Sequence, residues 1–291
     1  MTYDNSTYWI HLHKELPGAL RSVGWPGLSE EYNKLKYQSE SESVIEVLDA
    51  FLVRCGKKEL SVLDIGAGIG YFSNLVEGYL ERKGIASSIT AVDISEDALE
   101  VACAMNPGIR TSRVDLVSVD VDRFRETFDL AMSFYCLHHI VGFKGYVNAL
   151  TFSARSVKPG GGLMIMDPIL SRPYSRFDTF DYSTFRGNGL PRHLFFMDDL
   201  LVSEGFRRIS ITDAVSFLLN GNIEAYSWAG YSIRNILWRF ASGLFYPHDK
   251  IVTRLSPAIR TLDRWLKKRA SYSSKICLYE KTPSGERSTP P

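Results

Sequence analysis

Short apolar runs alternate along the central part of the chain with segments whose apolar residues recur at helical spacing. The apolar runs, which predict strands, lie at 61–66, 88–93, 109–116, 128–135 and 162–166. The helical segments lie at 41–54, 71–82, 96–104 and 143–157. Alternation of this kind is typical of a parallel sheet covered on both faces by helices, so we expect an α/β fold.

The pattern changes after the fifth predicted strand. Residues 169–195 are rich in Arg, Tyr, Phe, Gly and Pro, and they are interpreted as a long loop. A short helix at 198–204 and a strand at 207–214 follow this loop. A last strand is predicted at 275–281, and the polar tail 283–291 is expected to be disordered.

A long helical segment separates the last two predicted strands. Its apolar residues form two stripes, one of Ala229, Ile233, Ile236, Leu237, Phe240 and Leu244 and one of Ile251, Leu255, Ile259, Leu262 and Leu266. Ser256 and Pro257 predict a fresh helix start or a kink within the second stripe. We expect an N-terminal cap segment, a core, and a helical insertion that acts as a lid or dimer contact, at 1–40, 41–216 with 271–282, and 217–270, respectively.

Composition and charge exclude several classes of partner. The formal net charge is +1, which gives no general attraction for nucleic acid or an anionic membrane. No run approaches the ~20 apolar residues of a membrane span or resembles a signal peptide. The four cysteines form no C-x-x-C pair, so neither a metal site nor a disulfide framework is expected. We therefore expect a cytoplasmic protein with no nucleic-acid partner and no stable membrane insertion.

The first predicted strand runs into a helix through the glycine-rich turn D-I-G-A-G-I-G at 64–70. Such a turn could be structural, could bind a dinucleotide, or could bind S-adenosylmethionine (SAM). A dinucleotide fingerprint has the spacing G-x-G-x-x-G, whereas Gly70 comes one residue early and Tyr71 takes the expected glycine position. Asp64 suits the ammonium and sulfonium of SAM better than it suits a pyrophosphate. The turn therefore favours SAM.

Asp93 ends the second predicted strand, where a carboxylate can accept hydrogen bonds from both hydroxyls of a ribose. Dinucleotide sites carry an acid at the same place, so Asp93 alone does not discriminate between the cofactors. Capping of the next helix is the structural alternative, but Ser95 is already placed for that role.

Four motifs in this order resemble the class I SAM-dependent methyltransferases: V-L-D-I-G-A-G-I-G, A-V-D-I-S, F-D-L-A-M-S-F-Y-C-L-H-H and V-K-P-G-G-G-L-M-I-M-D. The resemblance covers about residues 40–215 and the last predicted strand. It implies a Rossmann-like, seven-stranded, mostly parallel sheet whose antiparallel last strand lies between earlier ones. It implies SAM as cofactor, with contacts from Asp64, Gly66, Ala67, Gly68, Gly70, Asp93, Ile94, Asp115, Leu116, Phe134, Tyr135 and Tyr37.

The resemblance also assigns a part of the cofactor to each contact. Asp64 and the glycines of the turn line the methionine side, Asp93 takes the ribose, and Ile94 packs on the adenine. Asp115 reaches the adenine amino group, with Leu116 adding a backbone contact and Asp120 or Asp122 as alternatives to the acid. Phe134 and Tyr135 lie at the methyl-transfer face. Tyr37, just before the helix that leads to the sheet, either closes over the cofactor or packs at the surface.

Methyl transfer mainly requires that acceptor and sulfonium be aligned, and an oxygen acceptor usually also requires a base. The candidates are His138, which follows the fourth predicted strand, Asp167, which follows the fifth, and His193, which precedes the 198–204 helix. His193 is the leading base, because a neutral imidazole removes a hydroxyl proton near neutral pH. Packing or capping is the structural alternative for each histidine.

The expected function is methylation of a small molecule, on oxygen, in the biosynthesis of a natural product, glycan or lipid. An aromatic insertion over the sheet fits an acceptor with a flat or lipophilic part. Three alternatives stay open: methylation of nitrogen or carbon, a different reaction on the same cofactor, and a non-catalytic SAM-binding subunit. A homodimer through the insertion is a further alternative.

Overall fold

The predicted strands join into one seven-stranded sheet in the computed structural model of the protein, which describes residues 4–172 and 188–283. Residues 173–187 of the predicted 169–195 loop and residues 284–291 of the predicted tail lie outside the described part of the chain. The strands of this sheet are β1 (Glu59–Ile65), β2 (Ala86–Asp93), β3 (Arg110–Arg113), β4 (Phe128–Phe134), β5 (Val157–Asp167), β8 (Phe206–Asp213) and β9 (Lys275–Lys281). A separate two-stranded sheet consists of β6 (Ile169–Leu170) and β7 (Arg192–His193).

The strand order is β3-β2-β1-β4-β5-β9-β8. The first five strands of this order, from β3 to β5, pair in parallel with their neighbours. Strand β9 runs antiparallel to both β5 and β8. The expected fold is therefore confirmed, including the last strand that lies between two earlier ones. The chain leaves β1 toward β2 and β3 and then returns to β4 on the other side, so the crevice between the carboxyl ends of β1 and β4 is the ligand position of this architecture.

The helices cover both faces of the large sheet. They are α1 (Asn5–Glu15), α2 (Glu30–Cys55), α3 (Tyr71–Arg82), α4 (Glu96–Met105), α5 (Phe143–Arg155), α6 (Leu194–Ser203), α7 (Phe217–Asn220), α8 (Trp228–Leu244) and α9 (Asp249–Ala270). One core contains Leu63 and Ile65 of β1 together with residues of α5 and α6. The other contains Leu60 and Val62, packed with residues of α2, α3 and α4. Successive β1 side chains thus enter opposite cores, as the pleat of a strand requires.

Helix α2 is much longer than the sequence predicts, because it begins at Glu30 rather than at 41. The side chain of Ser29 accepts a hydrogen bond from the amide of Tyr32 and caps the helix. Several polar side chains, including Asn33, Lys36 and Glu40, lie on its buried face. They interrupt the apolar period, which is why residues 1–40 show none. Tyr37 consequently lies inside this helix and not before it.

Other boundaries shift as well. The third strand is limited to Arg110–Arg113, and α5 ends at Arg155 because β5 already begins at Val157, ahead of the turn-forming K-P-G-G-G run. Helix α6 begins at Leu194, four residues before the predicted start at 198, and β6 and β7 lie near the two ends of the predicted loop.

The insertion between β8 and β9 contains α7, α8 and α9. Of the two alternatives predicted at Ser256 and Pro257, the fresh helix start is wrong, since α9 is one helix with Pro257 inside it. Proline has no N–H for the carbonyl of Thr253, and the hydroxyl of Ser256 donates to that carbonyl instead, at 3.0 Å. No helix among the described residues combines the length and apolar character needed to cross a bilayer.

Two ion-pair contacts, one buried and one partly exposed, attach the insertion to the core. Lys275 of β9 lies 2.5 Å from Glu224, and both side chains are almost fully buried. Glu224 also accepts the backbone amides of Ser171 and Arg172. On the other side, Glu42 of α2 pairs with two arginines of α9, which holds the pKa of Glu42 down at about 2.

Candidate active site

A cavity lies at the carboxyl ends of β1, β2 and β4, where the strand order reverses. We call it the cofactor cavity. Ten of the twelve predicted cofactor residues line it: Tyr37, Asp64, Gly66, Ala67, Gly68, Asp93, Ile94, Leu116, Phe134 and Tyr135. The structure therefore brings together side chains from five separate stretches of sequence.

The glycines of the turn allow close approach of neighbouring chain segments. Gly66 has φ +71°, and a Cβ there would lie 2.2 Å from the Sγ of Cys136. Gly68 has φ +53°, and a Cβ there would lie 2.7 Å from Val23. The third predicted glycine, Gly70, faces Ala102 of α4 and does not line the cavity, so its role is to seat α3 against α4.

Two buried carboxylates face the cofactor cavity. Both oxygens of Asp93 accept backbone amides, from Gly68 and from Ser95, each at 2.9 Å. Asp64 accepts a hydrogen bond from the hydroxyl of Ser73 at 2.6 Å, and its burial raises its pKa to about 7. A buried acid with a raised pKa favours a cationic ligand, because a nearby positive charge stabilises its ionised form.

Asp115 is the second predicted contact that does not line the cavity. Its carboxylate accepts the amide of Val117 at 3.0 Å and the hydroxyl of Ser118 at 2.9 Å, and so closes a local turn. Its neighbours Val114 and Leu116 line the cavity instead. The alternative acids are also engaged elsewhere: Asp120 accepts the amide of Asp122, which itself pairs with arginines.

The N-terminal segment contributes residues that the sequence does not reveal. Trp9 and His13 of α1, and Val23 after it, line the cofactor cavity. His13 is only 4% exposed, yet neither of its ring nitrogens has a hydrogen-bond partner among the described residues. Burial lowers the pKa of His13, while Asp93 and Asp97 act in the opposite direction. The sequence signal for this contribution is the presence of Trp9 and His13 four residues apart in α1, which places them on the same side of the helix.

A second cavity of about 600 Å³ adjoins the first. We call it the acceptor cavity. Four residues, Trp9, Val23, Tyr135 and His139, line both cavities and form their common wall. The remaining walls combine aromatic with polar side chains, among them Trp25, Trp238, Lys36, Asn220, Asn235 and Arg239.

Tyr135 of the common wall has a strained backbone. Its φ is +54°, a conformation that non-glycine residues rarely adopt. The ammonium of Lys36 lies 4.1 Å from the centre of its ring, and Lys36 pairs with Glu40 at 2.7 Å in an almost fully buried position. Strain of this kind concentrates at functional sites, where the surrounding contacts hold it in place.

His138 and Asp167, two of the predicted catalytic residues, form a buried pair. Nδ1 of His138 lies 2.7 Å from Oδ1 of Asp167. Burial lowers the pKa of His138 to about 3 and raises the pKa of Asp167 to about 8. His138 borders the acceptor cavity, whereas Asp167 lies behind it and lines neither cavity.

His193 is placed differently. It is the N-cap residue of α6, its ring lies 5.2 Å from that of Phe195, and it lines neither cavity. The structure thus places His193 at the start of α6 and outside the lining of both cavities. Beside His138, the ring of His139 packs against Trp9 at 4.5 Å and its Nδ1 contacts the carbonyl of Asn188.

Within residues 4–172 and 188–283, no three His, Cys, Asp or Glu side chains are grouped so that they could hold a metal ion. The described site consists of two joined cavities. Asp64 and Asp93 line the first, and the His138–Asp167 pair lies at the edge of the second.

Residues 36–200 match a family model described as a methyltransferase domain. No curated protein matches the sequence significantly. Similar solved structures include a SAM-dependent methyltransferase from Mesorhizobium loti (20% identity, 81% of this chain and 96% of that chain, TM-score 0.47). The [4+2]-cyclase SpnF is another (17% identity, 82% of this chain and 81% of that chain, TM-score 0.48). A third is Haemonchus contortus phosphoethanolamine N-methyltransferase 2 in complex with SAM (16% identity, 81% of this chain and 52% of that chain, TM-score 0.46).

Proposed function

This chain belongs to the methyltransferase domain family and uses SAM as its cofactor, and we propose that it methylates a hydroxyl oxygen of a small molecule held in the acceptor cavity. The observation that carries the proposal is the buried His138–Asp167 pair at the border of that cavity. The roles of all named site residues below are part of the same proposal.

The cofactor cavity fits SAM in three respects. Gly66 and Gly68 line it with bare backbone, Asp64 suits a cationic methionine part, and Asp93 has lone pairs left for ribose hydroxyls. The unpartnered ring nitrogens of His13 offer a further donor and acceptor to the cofactor. When bound, SAM supplies a methyl group on a sulfonium, which is a good leaving group.

The His138–Asp167 pair would act on the acceptor. With its carboxylate ionised, Asp167 accepts a proton-bearing Nδ1 of His138, which leaves Nε2 as a hydrogen-bond acceptor. Nε2 would then take the proton of the acceptor hydroxyl, whose oxygen would bond to the methyl carbon as the bond between that carbon and the sulfur breaks. Asp167 would thus fix the orientation and the tautomer of His138, and His138 would act as the base.

The lining of the acceptor cavity suggests the class of acceptor. Tyr8, Trp25 and Trp238 provide flat apolar surface, while Asn235 and Arg239 provide hydrogen-bond donors. A molecule with an aromatic or lipophilic part and several hydroxyls matches both. Such acceptors are common in natural-product, glycan and lipid biosynthesis, and we place the enzyme in that setting.

The test uses SAM with a deuterated methyl group and a panel of phenols, sugars, hydroxylated lipids, amines and thiols. Mass spectrometry identifies which acceptor gains the label and on which atom. For the best hydroxylated acceptor, His138→Ala and Asp167→Asn should each lower kcat/KM by at least ~10²-fold, while affinity for S-adenosylhomocysteine stays within about twofold because neither residue lines the cofactor cavity.

His193→Ala is the matched control, since His193 is the leading base by sequence but lines neither cavity. It should retain kcat/KM within about threefold. Label that appears only on nitrogen or carbon would overturn the oxygen assignment, and loss of activity in the His193 variant alone would overturn the assignment of the base.

A further inference from the structure

Helix α8 is apolar on two sides. Its inner side packs through Tyr231, Trp238 and Ala241. Its outer side carries the stripe predicted from the sequence, yet this stripe is exposed: Ile233, Ile236, Leu237, Phe240 and Leu244 are each 49–66% accessible. Five large apolar side chains on one solvent-facing stripe are more than isolated surface residues, and they mark a contact surface.

Helix α9 adds exposed apolar residues of its own. Leu255, Leu262 and Trp265 are 39–50% accessible, and the guanidinium of Arg269 lies 4.4 Å from the Trp265 ring centre. Tryptophan and leucine beside Lys and Arg are typical of helices that lie at the boundary between lipid headgroups and acyl chains.

The charge of the segment that contains α8 and α9 differs sharply from that of the whole chain. Residues 228–270 contain nine Lys or Arg and two Asp, although the whole chain has a net charge of only +1. The rest of the chain is therefore net negative. In the described part of the chain, no carboxylate forms an ion pair with Lys250, Arg254, Lys268 or Arg269. The neutral total thus hides a strongly cationic segment.

We propose that the outer face of α8 and α9 docks on the surface of an anionic lipid bilayer. An apolar stripe accompanied by unpaired cations matches the headgroup region of such a bilayer, since burial of the stripe and attraction of the cations act together. A second copy of this chain fits less well. A two-fold dimer through this face would set the cationic segment of one copy against that of the other.

Docking there would also orient the enzyme. Asn235 and Trp238, on other sides of α8, line the acceptor cavity, so the helix that touches the bilayer is also a wall of that cavity. The docking proposal does not depend on which atom is methylated.

The experiment measures co-sedimentation of the full-length protein with vesicles of phosphatidylcholine, alone or mixed with phosphatidylglycerol, at ~0.1 M salt. Binding is expected only with phosphatidylglycerol and should weaken as salt is raised. Two variant pairs, Ile236→Asp with Phe240→Asp and Arg254→Glu with Lys268→Glu, should each lower the partition coefficient by about tenfold or more.

The controls are substitutions of the same kind at exposed positions elsewhere. Val53→Asp with Met105→Asp matches the apolar pair, and Lys58→Glu with Lys144→Glu matches the charge pair. Both should bind vesicles like the original protein. Affinity for S-adenosylhomocysteine reports whether each variant is folded, and the charge pair decides the question if the apolar pair does not fold.

Three results would overturn the proposal: no binding to anionic vesicles, equal binding by all variants, or a concentration-dependent dimer. The dimer would be seen by sedimentation velocity and would dissociate in the Ile236→Asp, Phe240→Asp variant. That result would assign the face to a second copy of the chain.

Discussion

Nδ1 of His138 lies 2.7 Å from Oδ1 of Asp167, so the residue that follows β4 and the residue that ends β5 form one acid–base pair. The contact exists because β4 and β5 are parallel neighbours whose carboxyl ends meet at one edge of the sheet. Both groups are buried, and burial disfavours the charged form of each.

The pH dependence of methylation should follow this pair. Burial raises the pKa of Asp167 to about 8 and lowers that of His138 to about 3. The form that can act as a base has an ionised Asp167 and a neutral His138. Below about pH 8, Asp167 carries a proton and the pair is not in this form. For a hydroxylated acceptor, kcat/KM should therefore rise about tenfold per pH unit below that pKa and level off above it.

The measurement is a pH–rate profile between about pH 6 and pH 10. In Asp167→Asn the rise of kcat/KM with pH should disappear, because the side-chain amide does not ionise in this range. A flat profile in the unmodified enzyme would show that no proton of this pair limits the reaction.

His13 should contribute to cofactor affinity and not to the stability of the cofactor-free protein. Among the described residues neither of its buried ring nitrogens has a partner, so a ligand in the cofactor cavity can supply the missing hydrogen bond. His13→Ala should weaken binding of S-adenosylhomocysteine by about fivefold to tenfold, the worth of one hydrogen bond. Isothermal titration calorimetry measures the affinity.

His11→Ala is the control, because His11 lies on the same helix but has a 70% exposed side chain. It should leave the affinity unchanged. Equal affinities of the His11 and His13 variants would mean that α1 does not contact the cofactor.

The Lys275–Glu224 pair should be a strong anchor of the insertion. Glu224→Gln leaves the ammonium of Lys275 buried without its counter-charge, so the free energy of unfolding should fall by about 3–5 kcal/mol. Glu280→Gln removes a carboxylate that pairs with the partly exposed Arg54 and Arg207, and it should cost under ~1 kcal/mol.

Urea unfolding at pH 7 compares the two variants. Similar losses in both would show that the buried pair is no more important than a surface pair, and that hydrophobic packing alone holds the insertion on β9.

Local patterns predicted the sheet well because its strands are short, apolar and separated by turn residues. The glycine turn, Asp93 and the Ser95 cap were all readable for the same reason: each depends on residues close in sequence. The N-terminal part of α2 was missed because Lys36 and Glu40 are buried as a pair, which places polar residues where a periodicity argument requires apolar ones.

The site could be predicted only in part. Asp64, Asp93 and their neighbours were found because they follow strands, whereas His13 and Trp9 come from a helix with no marked pattern and reach the cavity through the fold. Gly70 and Asp115 were expected at the ligand, but Gly70 faces Ala102 and Asp115 closes its own turn. Spacing cannot tell which neighbour a backbone turn faces.

The sequence by itself determined the donor side of this protein: the order of strands and helices, the glycine turn, and the acids that follow the first two strands. Only the tertiary structure decided which histidine meets Asp167, which face of α8 stays in solvent, and that α1 covers the cofactor cavity. The reason is physical. Backbone geometry and short-range hydrogen bonds are set by neighbours in sequence, whereas burial and side-chain partners depend on segments that are far apart along the chain.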